Sequence, residues 1–390
     1  GDKTKPVVDL GNQLDGHQIK LSGETLSFDW NSLDKMPIYR TRIETTVDTG
    51  KTYQMESEQF ALNGIVTQYD LLDIKNYNGY LSSGFKLRVV VEDIQGNTDT
   101  VYTKDWITIL KAEQERDLKQ GWDLVSIPAN PEFPKLDSLI KNNENLPWFA
   151  YSWNGSSYEI STEVELTQSL WLANLAPAAK AYAKGSFFSE PITKVYSPGW
   201  HLIASPYMVG IQLDSLEIKI NNEVITYDDA ISQGKLTQLV AYDQGSAYSY
   251  SRELQPWRGA WLGVIEDSVT LTYKVHSLGL AKKRAKVQET PDVAIDLLLK
   301  YDDQFADILK LGANKIATNG FDPEFDIPAP PLPPHSDFLG ISILKNFETF
   351  PLGNRFIQEF RSSADLTKEL EFIVVVDNVP GESVINWDYA

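Results

Sequence analysis

The chain has no cysteine. That single absence removes disulfides, thiol catalysis and cysteine-ligated zinc. No stretch approaches the roughly 20 consecutive apolar residues that a membrane span requires. Histidine is scarce, and His17, His201, His276 and His335 stand far apart with different neighbours, so no pair is ready for a metal or a proton relay. The sequence also lacks a G-x-S-x-G elbow, an H-E-x-x-H helix, a P-loop and a G-x-G-x-x-G turn. Basic residues are outnumbered, 35 Lys and Arg against 54 Asp and Glu, for a formal net charge of −19. Such a field repels phosphate backbones and argues against nucleic acid as a partner.

What remains is a globular composition. Hydrophobic residues make up 42% of the chain, with ten Trp and eighteen Tyr, an aromatic load that disordered chains do not carry. Gly, Pro, Asn and Ser recur between short apolar runs, as in β proteins. The 390 residues suit three or four modules of about 100 residues each. The expected fold is mainly β, several β-sandwich modules in tandem with an internal duplication.

Residues 1–112 read as one sandwich. Leu26 to Trp30 alternates, Leu87, Val89 and Val91 face one way, and Lys86, Arg88 and Glu92 face the other. Gln95-Gly96-Asn97 makes a hairpin turn. A valine-rich strand followed by Asp93-Ile94-Gln95-Gly96-Asn97 resembles the fibronectin type III or immunoglobulin-like modules of bacterial secreted proteins. Asp93 and Asp99 could hold Ca²⁺, although the turn alone accounts for them. Residues 111–120 read as a charged connector.

The duplication carries the strongest signal. Gly121-Trp122-Asp123-Leu124-Val125 returns as Gly199-Trp200-His201-Leu202-Ile203, Leu136 to Leu139 as Leu213 to Leu216, Ala150-Tyr151 as Ala241-Tyr242, and Leu170-Trp171-Leu172 as Ala260-Trp261-Leu262. The copies are expected at 113–196 and 197–277. A G-W-x-L-x-x-x-P opening, a Tyr-rich hairpin and the closing Leu254 to Trp261 resemble a module of long secreted bacterial proteins. Asp137-Ser138-Leu139 and Asp214-Ser215-Leu216 resemble a Bacteroidetes O-glycan acceptor. A capped helical turn explains both equally well.

Residues 278–292 read as a basic linker, with Lys282-Lys283-Arg284-Ala285-Lys286 open to cleavage. Residues 293–390 form the last module. Val293 to Tyr301 alternates as a strand, Asp302 to Leu311 is open to strand or helix, and Phe372 to Val376 reads as a strand buried on both faces. Prolines between Pro323 and Pro334 enforce an extended path. Ala317-Thr318-Asn319-Gly320-Phe321-Asp322, with Asp326 and the prolines behind it, resembles a C-terminal β-sandwich of secreted Bacteroidetes-like proteins.

Two groups of candidate site residues follow. Asp322, Glu324 and Asp326, spaced by two in an extended loop, point the same way and could present oxygens to Ca²⁺. No other cofactor is expected. Trp148, Trp153, Tyr158, Tyr248 and Tyr250 flank the glycine hairpins and are the candidate ligand-contact surface, whereas Trp122, Trp171, Trp200 and Trp261 belong in a core. The resemblances imply an extracellular, cell-surface bacterial protein and a non-catalytic structural or adhesive segment. It would meet other surface proteins, copies of itself or glycans. The alternative is an accessory, carbohydrate-binding region of a secreted hydrolase. Starting at Gly1-Asp2-Lys3, with no export signal ahead of it, the chain is expected to be a portion of a longer polypeptide.

Overall fold

The computed structural model describes residues 3–10, 18–21, 26–34, 36–46, 53–59, 67–71, 86–104, 107–110, 114–128, 130–131, 134–142, 144–183, 185–186, 191–208, 210–242, 248–274, 291–301, 304–334, 339–347, 349–364, 369–378 and 382–389. The basic stretch 278–290 and His17, His276 and His335 lie outside them. Alternating side chains build strands almost throughout, and the chain is mainly β, with several separate sheets in tandem.

In the first module, strands Val7–Asp9, Leu26–Leu33 and Thr67–Leu71 form one antiparallel sheet. Strands Gln54–Gln59, Ile38–Thr46, Lys86–Asp93 and Thr98–Tyr102 form a second, in that order. Leu87, Val89 and Val91 are fully buried, as the alternation requires. Asp93 closes the following turn by accepting the N–H groups of Gln95 and Asn97 at 2.8 and 2.9 Å and the Asn97 amide at 2.7 Å. Burial opposes ionisation of Asp93, but these hydrogen bonds outweigh it and hold the carboxyl below its ordinary value. Asp99 accepts the Val8 N–H at 3.2 Å. Both carboxylates considered for calcium are thus engaged in the turn and its neighbour strand.

The two copies share sheet order, and their opening and closing strands share register. The expected match of Ala150-Tyr151 with Ala241-Tyr242 is off by two, since Tyr151 and Val240 face Trp171 and Trp261, and Trp153 and Tyr242 face Tyr158 and Tyr248. Gln114–Leu118 pairs with Ala179–Ala183, which pairs with Ile140–Asn142; in the second copy Ile192–Tyr196 pairs with Val269–Tyr273, which pairs with Glu217–Ile220. The other sheet runs Gly121–Val125, Leu170–Asn174, Trp148–Trp153, Tyr158–Ile160, and is matched by Gly199–Ala204, Gly259–Val264, Leu239–Tyr242, Tyr248–Ser251. Trp122 faces Ala173 as Trp200 faces Gly263, and Leu124 faces Trp171 as Leu202 faces Trp261. Gly121 and Gly199 sit at φ 105° and 127°, where a side chain is strained, which is why both copies open on glycine.

Two expectations change. Residues 114–118 are a strand and not a connector; an edge strand has one solvated face and so tolerates the alternating charges of Glu115 and Asp117. By the same pattern Ile192–Tyr196, placed with the first copy by the expected boundary at 196, pairs within the second. The insertion in the second copy is strand Glu223–Ile225 and helix Tyr227–Ser232, capped by Thr226 Oγ1 accepting the Asp229 N–H.

Each copy has its own core between its two sheets, around Val125, Leu170 and Leu172 in the first and Ile203, Leu262, Leu271 and Tyr273 in the second. The last module is a single seven-stranded mixed sheet. Its main order is Ile373–Asp377, Gly340–Leu344, Arg355–Ser362, Gln304–Asn314, Val293–Tyr301 and Ser383–Tyr389, with Ile327–Pro328 pairing Arg355–Ser362. Gln304–Asn314 resolves the ambiguous segment as strand. Ile373–Asp377 is an edge strand with Ile373 exposed, not one buried on both faces; among the described residues its apolar run has a strand neighbour on one side only.

Candidate functional site

The repeat tryptophans do not lie between the two sheets of their own modules. In each four-stranded sheet the residues alternate, so Leu172 and Leu262 face inward while Trp171 and Trp261 face outward. The two outward faces pack on each other. Trp171, Trp200, Trp261, Leu124, Leu202, Val240 and Tyr242 form one buried cluster spanning both copies, with Trp171 and Trp261 at 0% exposure. Trp171 meets Tyr242 edge-on at 4.8 Å and Trp153 meets Trp261 edge-on at 5.6 Å, both across the seam.

The seam has approximate twofold character. Ser126 donates its N–H to the Trp257 carbonyl at 3.1 Å, and the equivalent Ala204 donates to the Thr167 carbonyl at 2.9 Å. Thr167 and Trp257, the two acceptors, occupy equivalent places and share an unusual left-handed backbone, φ 66° and 68°. Near the axis stand Ser169 and its counterpart Gly259. A Cβ on Gly259 would lie 2.3 Å from the Ser169 Cβ and 2.7 Å from Leu124 Cγ, so the copies approach closely only because one of the pair has no side chain. Arg116 spans the seam, donating to both the Asp123 carboxylate and the Trp257 carbonyl.

The C-terminal module docks on the same seam. Phe350 and Leu352 pack against the aromatic cluster, and Trp200 Nε1 donates to the Leu352 carbonyl at 3.0 Å. Prolines carry no N–H and leave carbonyls without strand partners. Here Tyr158 donates its hydroxyl to the Leu332 carbonyl at 2.8 Å, and Tyr248 donates to the adjacent Pro331 carbonyl at 3.1 Å. Burial pushes both phenols above their ordinary values, so each hydroxyl keeps the proton it donates. The other end of this proline-rich strap, residues 327–334, joins the sheet, with the Ala329 N–H on the Arg355 carbonyl.

These positions redistribute the candidate contact residues. Trp153, Tyr158 and Tyr248 are half-buried in the seam, and Trp148 packs against the core of the first copy. Tyr250 is 45% exposed beside a cleft of about 220 Å³ that also takes in Ser249, Ser251, Glu253 and Arg258. Trp122 is half-buried. Ser138 and Ser215 sit in equivalent helical turns, each hydroxyl donating three residues back, to Lys135 and Gln212. The residues at the cap positions are Lys135 and Gln212 and make no side-chain capping bond, so Asp137 and Asp214 are not the caps.

The three candidate calcium ligands do not converge. Asp322 accepts the Thr318 N–H and hydroxyl, and Glu324 is exposed. Asp326 is turned inward: Oδ2 takes Lys345 Nζ at 3.0 Å and the Asp322 N–H at 2.9 Å, and Oδ1 takes the Phe360 N–H at 3.1 Å. An ammonium fills the place a cation would need. Among the described residues no group of three His, Asp or Glu side chains is arranged to hold a metal. Lys345 also approaches Glu359 Oε1 at 3.3 Å and the Gly320 carbonyl at 2.6 Å, between the rings of Phe347 and Phe356. Nothing local in the sequence marked Lys345 or Glu359; a buried Lys is legible only once its partners are placed.

No protein-family model matches the chain, and no curated protein matches its sequence.

Proposed function

We propose that this chain is a non-catalytic structural and adhesive segment of a large secreted bacterial surface protein, meeting other surface proteins, copies of itself or glycans. The observation that supports this reading is the use to which the aromatic residues are put. Side chains that would otherwise form a ligand platform are consumed in joining two repeats to each other and to the last module. That arrangement suits a part that transmits force or holds spacing. Pulling the chain from its ends in a single-molecule experiment tests it. Residues 114–364 are expected to unfold in one step at high force, and Tyr158→Phe combined with Tyr248→Phe to split that step. Three separate low-force steps in the unaltered chain would sink the reading.

The exposed Tyr250 keeps the accessory, carbohydrate-binding alternative in view. Its ring stands beside Ser249, Ser251, Glu253 and Arg258, and a sugar needs an aromatic face flanked by polar groups. Glycan-array binding that is lost in Tyr250→Ala would favour this second reading.

A further inference from the structure

The last module buries a lysine between two carboxylates. Lys345 Nζ lies 3.0 Å from Asp326 Oδ2 and 3.3 Å from Glu359 Oε1, and the three side chains are 6%, 0% and 0% exposed. Glu359 Oε1 is also held by Arg361 Nε at 2.9 Å, and its Oε2 is buried with no hydrogen-bond partner among the described residues. Phe347 and Phe356 lie beside the ammonium.

We propose that Lys345 and Asp326 join in an intramolecular amide bond, with Glu359 as the catalytic proton carrier. Lys345 gives a proton to the carboxylates around it, and the freed Nζ lone pair attacks Asp326 Cγ. The N–C bond forms, one C–O bond breaks, and the two protons lost from Nζ leave with that oxygen as water. Glu359 relays them and ends unchanged. No oxidant or outside reagent enters.

Several features serve this step. The N–H groups of Phe360 and Asp322 each hold one Asp326 oxygen, polarising the carbonyl and steadying the negative charge of the addition intermediate. Burial raises the Asp326 carboxyl to about 6, against the smaller pull of Lys345, and so favours the neutral acid that attack requires. Asp326 and Lys345 flank strands Ile327–Pro328 and Gly340–Leu344, both paired to Arg355–Ser362, which holds the partners in contact and supplies a high effective concentration. Charge balances in both states. Before reaction Lys345 and Arg361 face Asp326 and Glu359; afterwards Arg361 and Glu359 remain a pair, and one buried ion pair with its desolvation cost is gone. The bond would close a loop containing residues 327–334, the strap that Tyr158 and Tyr248 grip, so a chain without cysteine gains a covalent tie at its docking element.

Mass spectrometry of the purified full chain decides the matter. The unaltered protein is expected to weigh one water less than its sequence, and a protease digest to yield a branched peptide joining Asp326 to Lys345. Lys345→Arg and Glu359→Gln are each expected to restore the full mass. Full sequence mass in the folded, unaltered chain would overturn the proposal. So would a water loss mapped to a single linear peptide, the mark of a succinimide, and this digest needs no variant to fold.

Discussion

Placing a methyl group at the twofold seam offers a sharp test of how the repeats meet. In Gly259→Ala the new Cβ would sit 2.3 Å from the Ser169 Cβ and 2.7 Å from Leu124 Cγ, where carbon atoms prefer roughly 3.5–4.0 Å. Ser169 Cβ is fixed to its backbone, so no rotamer change relieves the overlap, and two strands must move apart. Overpacking of this kind costs about 1–3 kcal/mol, and the rigid neighbour places Gly259→Ala near 3. Ser169→Gly alone should be nearly neutral: it loses about 0.5–1 kcal/mol to backbone entropy but removes a buried hydroxyl with no partner among the described residues. Combined, the two changes should recover about 1 kcal/mol or more, because the Ser169 overlap is gone while that with the buried Leu124 Cγ at 2.7 Å remains, and this coupling is the signature of direct contact across the seam. Urea unfolding followed by tryptophan fluorescence suits the measurement, because Trp171, Trp200 and Trp261 lie in the seam. An unshifted midpoint in Gly259→Ala, or no rescue by Ser169→Gly, would refute the packing argument.

Three further outcomes are expected. Burial raises the Asp307 carboxyl to about 6, so the folded state holds a proton that the unfolded chain releases near 4; the contribution of this group to stability should be complete below about pH 4 and be lost, by up to about 3 kcal/mol, as pH rises to 6, and a melting-temperature profile with the same slope in Asp307→Asn would contradict this. Trp200→Ala should cost about 3–5 kcal/mol, and an unchanged melting temperature would tell against the seam. Assays with common glycosidase, esterase and peptidase substrates should give no turnover, and turnover abolished by a single carboxylate substitution would contradict the non-catalytic reading.

The sequence revealed the repeat but not what the repeat is for. Anchors such as Gly121-Trp122 and Gly199-Trp200 located equivalent strands whose pairing with Leu170–Asn174 and Gly259–Val264 agrees residue for residue, whereas the match of Ala150-Tyr151 with Ala241-Tyr242 misses by two, a slip that preserves which face each side chain takes. Alternation shows that Trp171 and Leu172 face opposite ways; it does not say which face meets the module's own second sheet and which meets the other copy. Trp171, Trp200 and Trp261 are buried in a core as expected and Trp122 is only half-buried, while the core they share lies between modules. Charged strand Gln114–Leu118 was hidden for a related reason, since an edge strand needs few apolar residues. Asp322, Glu324 and Asp326 drew notice through local spacing, yet the residues that occupy Asp326 come from strands and turns 19 and 34 positions away. Distant pairing of that kind leaves no local mark.

The strap on the seam has a consequence for stoichiometry. Two equivalent tyrosines, Tyr158 and Tyr248, grip successive carbonyls of one extended segment, and such a segment has a direction whereas a twofold axis does not. A dimer of identical repeats would offer two overlapping berths for such a segment and be able to fill only one. Fusing the repeats into one chain allows each half to specialise. Gly263 makes room for Leu352, while its counterpart Ala173 has a side chain, so the two berths are no longer alternatives. One strap per pair of repeats is then written into the covalent chain.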